Sequence, residues 1–253
     1  MTDIPQHERY PATLLSQPLT DSDLHVWCAS LNGSAEELAH FESILAPDEK
    51  ARAGRFHFER DRDRYIFGRG ILRTLLGSYL GTEAHKIEIT YEQDGKPTLG
   101  KIFQGKKLQF NLSHSNERAL YIFGWDRLVG IDIEQIRPLQ DADAFAEQYY
   151  TKRETGLINS LSGDEKWPVF YKFWTCKEAF LKAKGTGLTV PINHAEISLR
   201  PNNSAHLTSV DGDTAQATDW RFEMFSPIAD YQAAIALEGH AGNILYQSII
   251  DPA

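Results

Sequence analysis

Apolar residues recur at helical spacing in two long stretches of the chain, residues 60–80 and 168–184. In the first stretch Phe67, Ile71 and Leu75 fall on one face of a helix. A glycine follows each stretch, at the point where a helix commonly ends. Helical spacing combined with charge predicts two shorter helices, at 142–150 and 152–161.

The middle of the chain carries strand patterns instead. Residues 108–112, 119–123 and 128–134 are short runs rich in β-branched and aromatic side chains. The polar segment 113–118 between the first two runs predicts a loop. Because the three runs follow one another closely, we expect them to form an antiparallel meander.

Strands mixed with separated helices favour an α+β fold. The turn near Arg127 is the best candidate for an internal boundary, and it divides the chain into residues 1–128 and 129–253. In the second part, further strand patterns lie at 197–199, 220–224 and 231–237.

Composition and charge narrow the class of protein. The 253 residues carry a formal net charge of −9, which argues against broad nucleic-acid binding, because phosphate contacts need a basic surface. No apolar run approaches the roughly 18 residues that span a bilayer, so we do not expect an integral membrane protein. Two distant cysteines, Cys28 and Cys176, argue against a disulfide scaffold and favour a cytoplasmic protein.

Two acidic residues alternate with apolar ones in the strand predicted at 128–134. Asp132 and Glu134 would share one face of that strand, and their backbones would lie about 6–7 Å apart. Their repulsion, on the order of 2–3 kcal/mol at an effective dielectric constant of about 20, needs an offset from water, a basic residue or a divalent cation. A solvated outer face of an edge strand gives the same pattern.

The helix predicted at 168–184 adds a third carboxylate. Glu178 and Lys182 lie one turn apart, a spacing that also occurs in ordinary surface ion pairs. Lys177 lies on or beside the apolar stripe, where an ammonium group must find a partner or reach water. Strand and helix together could bring three acids and two lysines to one cleft. Such oxygen donors suit Mg²⁺, and lysines beside carboxylate-bound magnesium are typical of phosphoryl-type transfer.

Ser113 and His114 adjoin each other at the end of a predicted strand. A hydrolase nucleophile is weakly supported, because the chain has no G-x-S-x-G element. Local turn hydrogen bonds and donation to a phosphate both remain open. Basic residues concentrated between positions 48 and 73 have two interpretations as well, a solvated helix of alternating charge or an anchor for a phosphate.

Four elements occur in a fixed order along the chain: Gly-Lys-Pro at 95–97, Phe-Asn-Leu-Ser-His-Ser at 110–115, Gly-Ile-Asp-Ile-Glu at 130–134, and Phe-Trp-Thr-Cys-Lys-Glu-Ala-Phe-Leu-Lys-Ala-Lys-Gly at 173–185. Together they resemble the signature of the 4'-phosphopantetheinyl transferases. The elements at 95–97 and 110–115 resemble the larger, Sfp type of this family, and the chain length fits that type. The resemblance implies a pseudo-dimer of two similar α/β halves with the active site at their interface.

The resemblance also implies a role for each matching residue. Asp132, Glu134 and Glu178 would bind Mg²⁺ or Mn²⁺. Lys177 and Lys182 would contact the phosphates of coenzyme A. The remaining contacts to coenzyme A would come from Lys50, Arg52, Arg64, Lys96, Pro97, Ser113 and His114.

The implied reaction transfers the 4'-phosphopantetheine arm of coenzyme A to a serine hydroxyl of an apo acyl or peptidyl carrier protein, the activity of a holo-[acyl-carrier-protein] synthase. Lys182 would supply fixed positive charge. The general base would be Glu178, acting directly or through a metal-bound water, or Glu154. We expect a monomer. Two alternatives stay open, a metal-dependent hydrolase of the coenzyme A pyrophosphate and a non-catalytic binding module.

Overall fold

The computed structural model describes residues 17–92, 95–186, 190–200, 204–240 and 242–249. Across these ranges, none of the helices combines the length and apolar character that crossing a bilayer requires. The helices are α1 (Ala35–Ile44), α2 (Pro47–Ala53), α3 (Glu59–Leu80), α4 (Ala142–Tyr149), α5 (Lys152–Asn159) and α6 (Lys166–Lys184). The strands are β1 (Leu24–Ser30), β2 (Ile89–Tyr91), β3 (Pro97–Leu99), β4 (Leu108–Ser115), β5 (Arg118–Trp125), β6 (Val129–Gln135), β7 (Ala195–Leu199), β8 (Ala205–Val210), β9 (Trp220–Phe225), β10 (Tyr231–Glu238) and β11 (Ile244–Ile249).

Two sheets lie at the centre of this α+β fold. The first has the strand order β11-β1-β5-β4, in which β1 and β11 are parallel and the other pairs are antiparallel. The second is antiparallel and has the order β6-β10-β9. Two hairpins, β2–β3 and β7–β8, complete the described strands. The four predicted helices are confirmed as α3, α4, α5 and α6.

Two predictions about the middle strands are wrong. The meander breaks after β5, because β6 pairs with β10 in the second sheet. The loop predicted at 113–118 shrinks to a two-residue turn, because Asn116 adopts a positive φ of 52° and Ser115 pairs directly with Arg118. Ser113 and His114 are therefore strand residues, held in register by a ladder rather than by a loop.

The described residues form three hydrophobic cores, and alternating residues of β5 separate two of them. Tyr121 and Phe123 pack with the core under α3, whereas Leu120 and Ile122 pack with Ile131 in a core shared by the two sheets. Burial on both faces explains why β5 is apolar almost throughout. Helix α6 covers the other face of the second sheet. The layers are therefore α3, first sheet, second sheet and α6.

The first sheet takes an edge strand from the far end of the chain. Strand β11 pairs with β1 from Leu24↔Ile244 to Ala29↔Ile249. The division into residues 1–128 and 129–253 therefore stays a prediction. The pairing of β1 with β11 joins a strand of the first part to a strand of the second.

Candidate active site

Helix α6 approaches strand β6 closely at Gly130. A Cβ atom at this position would lie 2.0 Å from the Ala179 carbonyl oxygen and 2.5 Å from the Ala183 amide nitrogen. Only a residue without a side chain permits this approach. The contact fixes the rotation of the helix, so that Glu178 and Lys182, one residue before each alanine, face the acidic side of β6.

Three carboxylates gather between β6 and α6. Burial raises the pKa of Glu178, and the nearby charges of Asp132 and Glu134 raise it further, while Lys182 lowers it in part. Burial and Asp132 likewise raise the pKa of Glu134, against the hydrogen bond from Ser115. Because negative charge is crowded around Glu178 and Glu134, these two side chains favour protonation or a bound cation.

Lys182 connects this cluster to strand β4. Its Nζ donates to Asp132 Oδ1 at 2.6 Å and to Ser113 Oγ at 2.8 Å. The Ser113 hydroxyl in turn donates to Asp132 Oδ1 at 2.7 Å. The ammonium group thus offsets one of the three negative charges within the site.

Two polar residues of β4 that were not predicted as site residues also join the two sheets. Asn111 Oδ1 accepts from the Ile131 amide at 3.0 Å, and Ser115 Oγ donates to Glu134 Oε2 at 2.7 Å. With Ser113 they occupy alternate positions of one strand, so all three face β6. The alternation of polar residues at 111, 113 and 115 is the signal that could have identified them.

The donor set fits a hard divalent cation. Asp132 Oδ2 and Glu178 Oε1 are buried and have no hydrogen-bond partner among the described residues. Buried oxygens without partners are costly, and carboxylate oxygens are what Mg²⁺ binds. In the part of the chain that the structure describes, no three His, Cys, Asp or Glu side chains converge closely enough to hold a metal by themselves. A cation here would therefore need further ligands from water or substrate.

A cavity of about 330 Å³ opens beside the carboxylates. Ser113 and Lys182 belong both to its wall and to the hydrogen-bonded cluster around Asp132. The cavity therefore combines cationic side chains with aromatic surface and adjoins a group of acids. Its lining residues are Arg52, Arg64, Tyr65, Gly68, Arg69, Tyr91, Gly95, Pro97, Leu112, Ser113, His114 and Lys182.

The basic lining residues are held in different ways. The Arg52 guanidinium lies 5.5 Å from the centre of the Tyr65 ring, and Arg64 Nη2 pairs with Glu117 at 3.2 Å. Although the His114 side chain is accessible to solvent, partial desolvation in the cleft and the charges of Lys182 and Arg64 lower its pKa. A bound anion would reverse that effect on His114.

Comparisons with known proteins agree with this chemistry. A model of the 4'-phosphopantetheinyl transferase superfamily matches residues 128–236, and a model of the N-terminal part of 4'-phosphopantetheinyl transferases matches residues 29–121. The 4'-phosphopantetheinyl transferase HetI of Nostoc sp. is 39% identical over 87% of this chain and 90% of its own length. The chain belongs to the 4'-phosphopantetheinyl transferase superfamily. It is accordingly an enzyme that transfers phosphopantetheine.

More distant similarities extend the comparison. The 4'-phosphopantetheinyl transferase Sfp of Bacillus subtilis is 26% identical over 70% of this chain and 77% of its own length. The chain is also similar in structure to a solved holo-(acyl-carrier-protein) synthase from Bacillus anthracis in complex with CoA (3',5'-ADP). The match spans 46% of this chain and 98% of the synthase chain. The synthase is 21% identical, with a TM-score of 0.37.

Three residues predicted to bind coenzyme A, Lys50, Lys96 and Lys177, lie outside the cavity of this phosphopantetheinyl transferase. Lys50 is exposed, and its Nζ donates to the Ser43 carbonyl at 3.3 Å. Lys96 Nζ donates to the Ala183 carbonyl at 2.8 Å, so it anchors the segment before β3 to the end of α6. Arg52, Arg64, Pro97, Ser113, His114 and Lys182 do line the cavity.

Lys177 and Glu154 require a correction. They form an ion pair at 2.9 Å with both side chains fully buried, on the side of α6 that faces β7. Lys177 Nζ also donates to the carbonyls of Ile192 and Ala195, and Glu154 accepts from the Ile197 amide at 2.7 Å. These contacts occupy the polar atoms of both side chains, and neither residue lines the cavity. Lys177 is therefore not placed to contact coenzyme A, and Glu154 is not placed to act as the general base.

Proposed function

We propose that this enzyme transfers the 4'-phosphopantetheine group of coenzyme A to a serine hydroxyl of an apo acyl or peptidyl carrier protein and releases 3',5'-ADP. The observation that carries the proposal is the junction of a cation-lined cavity with a carboxylate cluster, at which Ser113 and Lys182 belong to both. The cationic lining suits the phosphates of the donor, and the carboxylate cluster adjoins that lining through Ser113 and Lys182.

The chemistry assigns separate tasks to Glu178 and Lys182. The serine oxygen attacks the β-phosphorus of the donor, and the bond from that phosphorus to the bridging oxygen breaks. The electron pair of the broken bond leaves with 3',5'-ADP, and the serine proton passes to a base. Glu178 is the base we propose, because the contact at Gly130 turns this carboxylate toward β6 on the same face of α6 as Lys182, and general-base catalysis is typically worth about 10²–10⁴-fold in rate. The Lys182 ammonium favours the negative charge that develops on the phosphate oxygens.

We further propose that Asp132, Glu134 and Glu178 hold a divalent cation, Mg²⁺ or Mn²⁺. Such an ion supplies positive charge that polarises a diphosphate. The unpartnered oxygens of Asp132 and Glu178 support this assignment.

Three finer statements stay predictions. They are the holo-[acyl-carrier-protein] synthase type of activity, the monomeric state and the cytoplasmic location. A panel of apo carriers from fatty acid, polyketide and nonribosomal peptide synthases tests the first, and light scattering tests the second.

One assay tests the proposed reaction directly. The enzyme is incubated with coenzyme A, Mg²⁺ and an apo carrier protein, and the carrier is weighed by mass spectrometry. We expect a gain of one phosphopantetheine group, and we expect that gain to disappear with Asp132→Asn but not with Asp164→Asn, an exposed acid elsewhere. Cleaved coenzyme A with an unchanged carrier would identify a hydrolase instead, and intact coenzyme A would indicate a binding module.

A further inference from the structure

Two arginines of α3 share one buried carboxylate of α2. Arg69 donates through Nε at 2.8 Å and through Nη2 at 2.6 Å to Glu49 Oε1. Arg73 donates through Nε to the other oxygen, Oε2. The Ala46 amide also donates to Oε2, at 3.0 Å, so the carboxylate is fixed from both ends.

This cluster carries one more positive than negative charge. The side chains of Glu49, Arg69 and Arg73 are 1%, 8% and 2% exposed. Although burial alone would raise the pKa of Glu49, Arg69, the Ala46 amide and Arg73 outweigh it and lower the pKa, so the carboxylate is ionised. A nearly buried group with an excess positive charge favours a nearby anion.

The two arginines differ in what else they reach. Arg73 directs Nη1 inward, to the carbonyls of Ala84 at 3.1 Å and Ile87 at 3.0 Å. Arg69 donates through Nη2 to the Tyr91 hydroxyl at 2.8 Å, and Arg69 and Tyr91 both line the cavity. Within the described residues, Arg69 Nη1 has no hydrogen-bond partner. Glu49 therefore holds two guanidinium groups, and that of Arg69, at the cavity wall, has its Nη1 available to donate to a ligand.

From this arrangement we infer that Arg69 binds a phosphate group of coenzyme A, and that Glu49 is a positioning residue that fixes the Arg69 guanidinium and, through it, Tyr91. The inference rests on the proposed function, because coenzyme A is the ligand it assumes. A guanidinium already clamped by a carboxylate loses little conformational freedom when an anion binds. Glu49 thereby aids anion binding although its own charge opposes it.

Calorimetric titration with coenzyme A and with 3',5'-ADP tests both parts. Arg69→Gln removes a charge-assisted donor and should weaken binding of coenzyme A by about 10- to 100-fold. Arg69→Lys keeps the charge without the clamped fork and should weaken it less. Arg60→Gln is the matched control, because it removes the same charge from an exposed position of α3, where Arg60 pairs with Asp61, and it should leave the dissociation constant unchanged. In turnover assays, Arg69→Gln should raise KM for coenzyme A and leave kcat at saturation near that of the wild type.

Glu49→Gln separates positioning from simple charge. Removal of a negative charge beside the cavity would tighten anion binding if only the local field mattered. A positioning role predicts weaker binding by several-fold instead. If Glu49→Gln does not fold, Arg69→Lys tests the positioning role, because it keeps the charge and removes the two-pronged contact that Glu49 holds; wild-type affinity in Arg69→Lys would then overturn the role of Glu49.

The outcomes distinguish this inference from the proposed function. Wild-type affinity in Arg69→Gln, or tighter binding in folded Glu49→Gln, overturns the assignment to Arg69 or to Glu49 while the proposed function stands. A wild-type protein that neither binds coenzyme A nor modifies a carrier overturns the proposed function itself.

Discussion

The substitution Gly130→Ala tests whether the contact between α6 and β6 sets the geometry of the site. The added Cβ would lie 2.0 Å from the Ala179 carbonyl oxygen and 2.5 Å from the Ala183 amide nitrogen. Both atoms belong to the backbone of a helix, so no side-chain rotation relieves the contact. Helix and strand must therefore separate.

The size of this separation follows from the distances. Real Cβ atoms essentially never approach other heavy atoms within 3.0 Å, so the helix must move by about 1 Å, a displacement that can lower the rate about 100-fold. The contact between Lys182 Nζ and Asp132 Oδ1, now 2.6 Å, would lengthen beyond hydrogen-bond range. Overpacking of this kind also costs about 1–3 kcal/mol of unfolding free energy.

The assay is the initial rate of carrier modification at saturating coenzyme A, with thermal unfolding measured on the same samples. Gly156→Ala on α5 is the matched control, because a Cβ there meets nothing within 4 Å. It should keep the wild-type rate and add about 0.5–1 kcal/mol of stability, as alanine does for glycine in a helix. A wild-type rate in folded Gly130→Ala would refute the reasoning.

Three further predictions concern charge. Lys177→Met leaves Glu154 unpaired in the interior and should lower the free energy of unfolding, measured with denaturant, by about 3–5 kcal/mol. The affinity for coenzyme A should stay unchanged, and a weaker affinity would contradict the structural role of the pair. Binding of 3',5'-ADP should raise the lowered pKa of His114, because the anion favours the imidazolium, and an NMR titration that shows no change would argue against His114 as a phosphate contact. Because burial raises the pKa of Glu178 and Glu134 in the folded state, metal-free protein should gain stability from their protonation below a pH of about 4.3 and lose it as the pH rises through the raised pKa values. Glu178→Gln should flatten this dependence, and an unchanged slope would sink that explanation.

Relations between side chains of the same helix or strand were predictable from the sequence. Alternation along β6 put Asp132 and Glu134 on one face, and helical spacing put Glu178 and Lys182 one turn apart. The pattern could not decide between Lys177 and Glu178 as the residue that faces the acids, because the apolar stripe runs beside both. The close approach at Gly130 decides it, since it turns Glu178 toward β6 and Lys177 toward β7.

Features that join distant segments were not predictable. The prediction that β6 follows β5 in one sheet assumed pairing between neighbours, whereas its partner β10 comes from much later in the chain. The partnership of Arg69 and Arg73 depends on Glu49 of another helix, which no local spacing indicates. The cation-lined cavity is likewise assembled from distant segments, namely α2, α3, the β2–β3 hairpin, β4 and α6.

The most direct measurement is a titration with Mn²⁺ in the presence of coenzyme A, followed by electron paramagnetic resonance of the free ion. If the carboxylates of β6 and α6 form a cation site beside the donor cavity, the wild-type protein should bind one Mn²⁺ per chain. Asp132→Asn and Glu178→Gln should each lose that binding, and Asp164→Asn should keep it. Undiminished Mn²⁺ binding in the first two variants would contradict the assignment of this site.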